Sequence, residues 1–545
     1  MDIIVNDSSE SVKPKKWKKN ANKGYSKVKG KELEIIETEI SVKPKTKMIQ
    51  NDNNTLEIDR IMLKKENEEI VKNQKKPNSV AGSPAKIRKT GPWSLKVLSA
   101  AQICKHVNLY KSTKLHIPNE ILSKLLKIMV QFNYINDSNF PFFLSETYEN
   151  LEIKIPTIND QITDHSLVLA PICCPNLKYF HLKNSVEFSK KGWKNFVESA
   201  KSSGLSQKLQ HLSFINVPIY EKEFTLVCKT FKALKVFDLS HNFIIRQPTA
   251  LQCLIEQHKN LTELYLKNIN LTSDAIQSIS NGFNNLEILD ISVTTWDPHQ
   301  TYASPESLAT LSKLTTLKQL FLNGLSFNNN TISSICKKCV SLEVFDLSWP
   351  DPNSKYVWTI PITDAVLVDV VNCVNLEELG LGYSSRIRNE QSLTTLFTFL
   401  PNLTKLNLTA VPAVTDNSVT HLTKCCPNLK RLKLQHCVLN STSLFAIASN
   451  CSKLEYLDVR AENNIFNDSS WEAIASGCPG LETALGTMTS HVRLHLQMHC
   501  PKLKFKFQNP LVFQIFNYFL FYGKLIYLIR SQSFEEFCSQ VWGDA

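Results

Sequence analysis

One six-residue pattern recurs from residue 174 onward and constrains the fold more than any other feature of the chain. A leucine is followed by two variable residues, a second apolar residue, one variable residue and a third apolar residue. It reads "LKYFHL" at 177–182, "LQHLSF" at 209–214, "LKVFDL" at 234–239 and "LTELYL" at 261–266. It continues as "LEILDI" (286–291), "LKQLFL" (317–322), "LEVFDL" (342–347), "LEELGL" (376–381), "LTKLNL" (403–408), "LKRLKL" (429–434) and "LEYLDV" (454–459). "LETALG" (481–486) and "LKFKF" (503–507) are degraded, as terminal units usually are. Alternating apolar and variable positions predict a short strand with one buried face. The following segments, such as "DNSVTHLTKC" (416–425) and "STSLFAIASNC" (441–451), predict helices.

Neither the strand nor the helix of one unit buries its apolar face alone, so successive units must stack. The starts of the clear copies lie 25 to 34 residues apart, the spacing of leucine-rich repeats or slightly above it. The expected fold is therefore an α/β leucine-rich-repeat solenoid, a horseshoe with strands on its concave side and helices on its convex side.

The cysteines keep the same period. Cys174, Cys339, Cys373, Cys426, Cys451, Cys478 and Cys500 each stand three positions before the first leucine of a unit. A small, weakly polar thiol suits a buried helix-to-strand corner. "CKKC" (336–339) and "CC" (425–426) lack a second pair or a histidine at ligand spacing, so no metal or cofactor is expected. The phrase "CCPNLKRLKLQHC" followed by "LNSTSLFAIASNC" resembles the cysteine-containing class of leucine-rich repeats found in F-box substrate receptors. That resemblance covers most of residues 160–507.

Charge separates the first part of the chain from the rest. Of a net +12, residues 1–90 carry about +8, with 21 Lys and Arg against 13 Asp and Glu. This segment has few aromatics beyond Trp17 and Tyr25, too little apolar surface to offset its chain entropy, and it is expected to be disordered. Its cluster "KPKKWKK" (13–19), echoed by "KPKTK" (43–47), reads either as a nuclear-import signal or as a solubilising tail. Ser83 in "SPAK" has the look of a proline-directed kinase site. The remainder is only mildly basic, so no specific nucleic-acid partner is expected.

No secretory signal opens the chain, and fifteen cysteines without one indicate free thiols in a reducing compartment. "LVFQIFNYFLFYGKLIYLI" (511–529) approaches the length of a membrane span, but Gln514, Asn517, Gly523 and Lys524 interrupt it. It is read as a helix or cap at the end of the array, and no membrane partner is expected. A phosphate-cradling glycine loop, an "HExxH" and a nucleophile elbow are all missing from the sequence, so the chain is read as a binding protein and not an enzyme.

The variable residue between the second and third apolar positions should face the concavity in every unit. In order, these are His181, Ser213, Asp238, Tyr265, Asp290, Phe321, Asp346, Gly380, Asn407, Lys433 and Asp458. Asp238, Asp290 and Asp346 alternate with Tyr265 and Phe321, an acidic strip with aromatic steps that suits a basic or aromatic-bearing peptide. Two units carry insertions after the strand, 292–307 and 348–364, which hold Trp296, Tyr302, Trp349, Tyr356 and Trp358. Those rings either contribute to an interface or pack their own loops. The protein substrate itself is not legible.

Ahead of the array stand two short apolar segments. Leu95, Ser99 and Ile103 fall at i, i+4 and i+8 after a possible N-cap, Ser94. The order resembles the elongin-C-binding box, with serine where cysteine is commoner. Further on, Ile117, Pro118, Ile121 and Leu125 match the spacing of the cullin-two box. Together they resemble a von Hippel–Lindau-type box, which implies elongin C and cullin-two as partners. "LHIPNEILSKLLKIM" is also similar to the start of an F-box, which would imply Skp-one and cullin-one instead. The same helices could simply cap the solenoid. The expected layout is a basic tail (1–90), a helical box (91–135), the solenoid (136–507) and an apolar C-terminal segment (508–545). The expected role is that of a substrate-recognition subunit of a cullin–RING ubiquitin ligase in nucleus and cytoplasm, or of a scaffold with no ligase partner.

Overall fold

The array begins one unit earlier than the leucine pattern shows. The computed structural model describes residues 119–131, 135–159, 162–185, 188–294, 302–349, 362–461, 464 and 466–503, all within the unit Lys89–Ala545. In it "YENLEI" (148–153) forms a strand in which Tyr148, buried, replaces the first leucine, and Leu151 and Ile153 take the second and third apolar places. Thirteen strands among the described residues pair in parallel, each with the next in sequence. They are β1 (Asn150–Asn159), β2 (Tyr179–Ser185), β3 (His211–Ile215), β4 (Val236–Asp238), β5 (Glu263–Tyr265), β6 (Ile288–Asp290) and β7 (Gln319–Phe321). After them come β8 (Val344–Asp346), β9 (Glu378–Gly380), β10 (Lys405–Asn407), β11 (Arg431–Lys433), β12 (Tyr456–Asp458) and β13 (Thr483–Leu485). In β13 Ala484 stands where the other units have leucine or phenylalanine, which accounts for the degraded "LETALG".

Helices return the chain between strands, and most start on a polar residue that caps them. Ser189, Thr272, Asn328, Thr415, Asn467 and Thr489 each accept a hydrogen bond from a backbone N–H of the first turn. Caps of this kind contribute about 1 kcal/mol each. The helices Asp416–Cys425 and Ser441–Asn450 coincide with the segments read as helical from sequence. Where an insertion follows the strand, the returning helix is short. After β6 it is Pro305–Ala309 continued by a 3-10 turn, and after β8 it is Leu367–Val370 preceded by one.

The periodic cysteines close each corner. Cys174, Cys339, Cys426, Cys451, Cys478 and Cys500 follow the last helical residue, and each donates its backbone N–H four residues back. Their carbonyls, and that of Cys373, accept the N–H of the leucine three positions on, at 3.0–3.4 Å. That bond explains the fixed spacing. The thiols of Cys339 and Cys426 lie 3.4 Å from the carbonyls of Leu314 and Leu400 in the preceding unit, and Cys478 lies 3.4 Å from that of Cys451. Burial, the first cause, pushes the thiols of Cys174, Cys339, Cys426, Cys451 and Cys478 up to about 12, so they stay protonated donors between coils.

The first units are packed with aromatic rings instead of leucines. Trp193 is wholly buried, with ring centroids 5.1 Å from Phe214, 5.5 Å from Phe188 and 6.0 Å from Phe196. Its indole N–H donates to the Pro218 carbonyl at 3.1 Å. At the front edge, the helix Asn119–Gln131 packs on β1. Leu122, Leu125, Leu126, Met129 and Val130 form its buried stripe. No helix among the described residues is long and apolar enough to cross a membrane. Residues 511–529, read from sequence as a terminal helix or cap, lie outside the described residues, as does the tail 1–90.

Candidate functional site

Strand register lines up the concave residues. Glu152, His181, Ser213, Asp238, Tyr265, Asp290, Phe321, Asp346, Gly380, Asn407, Lys433, Asp458 and Leu485 are successive partners across the sheet. Asp238, Tyr265, Asp290, Phe321 and Asp346 are therefore immediate neighbours in one row, each half-buried.

The three aspartates already have a local task. Each accepts the backbone N–H two residues on, from Ser240 at 3.0 Å, Ser292 at 2.9 Å and Ser348 at 3.0 Å. This turns the chain out of the strand, which is why Asp-Leu-Ser and Asp-Ile-Ser recur. Asn407 does the same for Thr409 at 3.1 Å and Asp458 for Arg460 at 3.2 Å. Asp238 also accepts from the Ser213 hydroxyl at 3.3 Å. The side chains are thereby pinned in place.

Asp290 departs from ordinary carboxylate behaviour. Burial raises its pKa and outweighs the hydrogen bonds from Ser292, with Asp238 acting in the same direction. The folded state thus holds this proton more tightly than the unfolded chain does. The associated stability is complete below the unfolded value of about 4 and is lost as pH rises through the higher folded value. Asp290→Asn keeps the acceptor for Ser292, as Asn407 shows in its own unit. We expect the variant to be equal to wild type or more stable by up to about 1 kcal/mol at pH 7, with the gain shrinking at pH 4. Thermal melts at the two pH values check this, and a loss at pH 7 would contradict it.

A second concave row was not read from sequence. The residue before the second apolar position also faces inward, and these residues pair as Glu263, Ile288, Gln319, Val344, Glu378, Lys405, Arg431 and Tyr456. The alternation of a strand should have signalled it. The two rows give the concave face two regions of opposite charge. Carboxylates from Asp238 to Asp346 precede the cations Lys405, Arg431 and Lys433. Lys405 pairs with Glu378. The Arg431 guanidinium lies 4.8 Å from the Tyr456 ring centroid, and the Lys433 ammonium 6.0 Å. Arg460 holds Asp458 through both carboxylate oxygens, at 2.9 and 2.7 Å.

Gly380 sits between the two regions. A Cβ there would collide with the Asp346 carboxylate and lie 2.6 Å from the Ser348 hydroxyl. Beside it lies a cavity of about 160 Å³ whose walls include Phe321, Asp346, Glu378, Lys405, Arg431 and Lys433.

The other expected site residues divide. Trp349 belongs to an insertion but is 8% exposed and packs into the core, with its backbone N–H donating to the Gly382 carbonyl at 3.0 Å, so it anchors its loop. Tyr302 is partly buried against the same core. Trp296, Tyr356 and Trp358 lie outside the described residues. In the helical box, Leu125 is 7% exposed and seals β1, whereas Ile121 is 48% exposed on the same helix. The stripe of Leu122, Leu125, Leu126, Met129 and Val130 is the reason: in a helix of this register Leu125 belongs to the buried face. Leu95, Ser99, Ile103, Ile117 and Pro118 lie outside the described residues. No group of three or more His, Cys, Asp or Glu among the described residues is placed to hold a metal ion.

No family model matches the chain. Over 160 residues it is 28% identical to F-box protein SKIP1 of Arabidopsis thaliana, a stretch that covers 28% of this chain and 53% of that protein. The chain thus spans about half the length of the curated relative it matches. Among solved structures it is similar to the Rad7 and Elc1 complex of yeast, with a TM-score of 0.47 and 16% identity, covering 81% of this chain and 96% of that one. A second is an internalin of Listeria monocytogenes, with a TM-score of 0.37 and 17% identity over 72% of this chain and 95% of that one.

Proposed function

We propose that the chain is a non-catalytic substrate-recognition subunit of a cullin–RING ubiquitin ligase. The observation that carries this reading is the order of its parts. A box-like pair of apolar segments stands directly before a solenoid whose concave face is lined by two rows of residues in register. The box would be held by elongin C and cullin-two, through Leu95, Ser99, Ile103, Ile117, Pro118 and the exposed Ile121. The concave face would hold the protein substrate. Such a subunit performs no chemistry; it raises the effective concentration of substrate lysines near a charged ubiquitin-conjugating enzyme. The basic tail fits work in both nucleus and cytoplasm.

A second reading keeps the architecture and changes the adaptor. The resemblance of 115–129 to the start of an F-box, together with the stretch similar to F-box protein SKIP1, favours Skp-one and cullin-one. Affinity purification of the tagged full chain separates the two. The first reading expects elongin C and cullin-two, with recovery abolished by Leu95→Asp. The second expects Skp-one and cullin-one, with Leu95→Asp harmless. Ile121→Asp should weaken either by tenfold or more, without loss of helix content. Recovery of neither pair by a folded protein would leave only a scaffold.

A further inference from the structure

Arg431 and Lys433 are two neighbouring concave cations with no carboxylate partner among the described residues. Lys405 is occupied by Glu378 and Arg460 by Asp458, while no described carboxylate forms an ion pair with Arg431 or Lys433. Both project from β11 on the same side, two residues apart, and both lie over the Tyr456 ring. A ring beneath two like charges restrains them without neutralising them. They stand at the β11 end of the Gly380 cavity, whose other walls carry Lys405 and the carboxylates of Glu378 and Asp346.

We infer that β11 carries a phosphate-binding subsite for a phosphorylated serine or threonine in an extended partner peptide. Charge balance decides for phosphate over a side-chain carboxylate. Two unpaired cations match a group of about −2, and Arg431 supplies the planar fork that binds phosphate oxygens in pairs. The row toward β8 fixes the neighbouring residue type. Asp346 is three strands from Lys433, about 14 Å at strand spacing, which an extended peptide covers in about four residues. A basic residue about four positions from the phosphate would reach Asp346 while the phosphate meets Arg431 and Lys433. This deepens the reading of the concave face as the substrate surface and rests on it.

The test uses the full chain, immobilised, and three degenerate peptide pools of about eleven residues. Each pool has arginine fixed about four positions to either side of the centre, and phosphoserine, serine or glutamate at the centre. The expected result is at least about tenfold greater retention of the phosphoserine pool than of the serine pool. In Arg431→Gln/Lys433→Gln protein the difference should vanish, while in Lys453→Gln protein, altered outside these two rows, it should persist. Equal retention of the phosphoserine and serine pools, absence of retention of either, or indifference to the double substitution overturns the assignment. Retention of the glutamate pool equal to that of phosphoserine also overturns it, in favour of an acidic peptide. Adaptor recovery is measured on the same preparations. Its loss with phosphopeptide retention intact sinks the ligase reading alone, and the reverse pattern sinks the subsite alone.

Discussion

Trp193→Ala is expected to cost about 3–5 kcal/mol of unfolding free energy. The ring is wholly buried among Phe188, Phe196 and Phe214, which come from both sides of two coils. Its removal leaves a cavity that these stiff neighbours fill poorly, and it leaves the Pro218 carbonyl without its N–H donor. Trp193→Phe loses that bond but keeps most of the packing, so it should cost clearly less. Because stacked repeats pass stability chiefly to their neighbours, the loss should be concentrated in β2, β3 and β4. Hydrogen exchange read by mass spectrometry checks this. Uniform loss of protection out to β13 would show a cooperativity that nearest-neighbour stacking does not supply.

Gly477→Ala should destabilise, although alanine is normally the better helix former by about 0.5–1 kcal/mol. Gly477 ends the helix Asp468–Gly477 where it crosses the helix Ser441–Asn450 of the preceding coil. A Cβ there would collide with the Ala448 carbonyl oxygen and lie 2.8 Å from its carbon. Backbone cannot rotate aside as a side chain does, so the two helices must part, at a cost of about 1–3 kcal/mol. Gly480→Ala is the control, since the nearest atom to its Cβ, the Leu454 carbonyl oxygen, is 3.8 Å away. Chemical denaturation of both variants checks the pair. Equal midpoints for the two would contradict the close crossing.

Much of this architecture was legible because its chemistry is periodic. A strand that alternates apolar and variable residues can present only its variable positions to the concavity, and the paired register places His181 through Asp458 in that order. The cysteine spacing was legible too, although its cause, the bond from the cysteine carbonyl to the leucine N–H three residues later, needed backbone geometry. What escaped were the exceptions to the leucine template. The first strand was hidden by Tyr148, which fills the leucine place with a ring. The cations Lys405 and Arg431 stand outside the single variable position between the last two apolar residues, because two variable positions of each strand face inward. The aspartate row, read purely as a charged surface, proved also to be the device that turns each strand out of the sheet.

Leu125 and Trp349 carry a more general lesson. Both are apolar residues on segments that also looked like interfaces, and both are buried in the protein's own core. Sequence alone cannot separate an apolar residue that meets a partner from one that meets the next coil, because the driving force is the same. The pattern around Leu125 did contain the answer: it shares a helical face with Leu122, Met129 and Val130, while Ile121 does not.

The central claim is that this solenoid works as the receptor arm of a ubiquitin ligase. Gel filtration of the purified full chain mixed with elongin C, and separately with Skp-one, tests it most directly. Co-elution with one of the two adaptors as a stable stoichiometric complex is the predicted result. Separate elution from both, by a chain whose circular dichroism shows it folded, would contradict the claim.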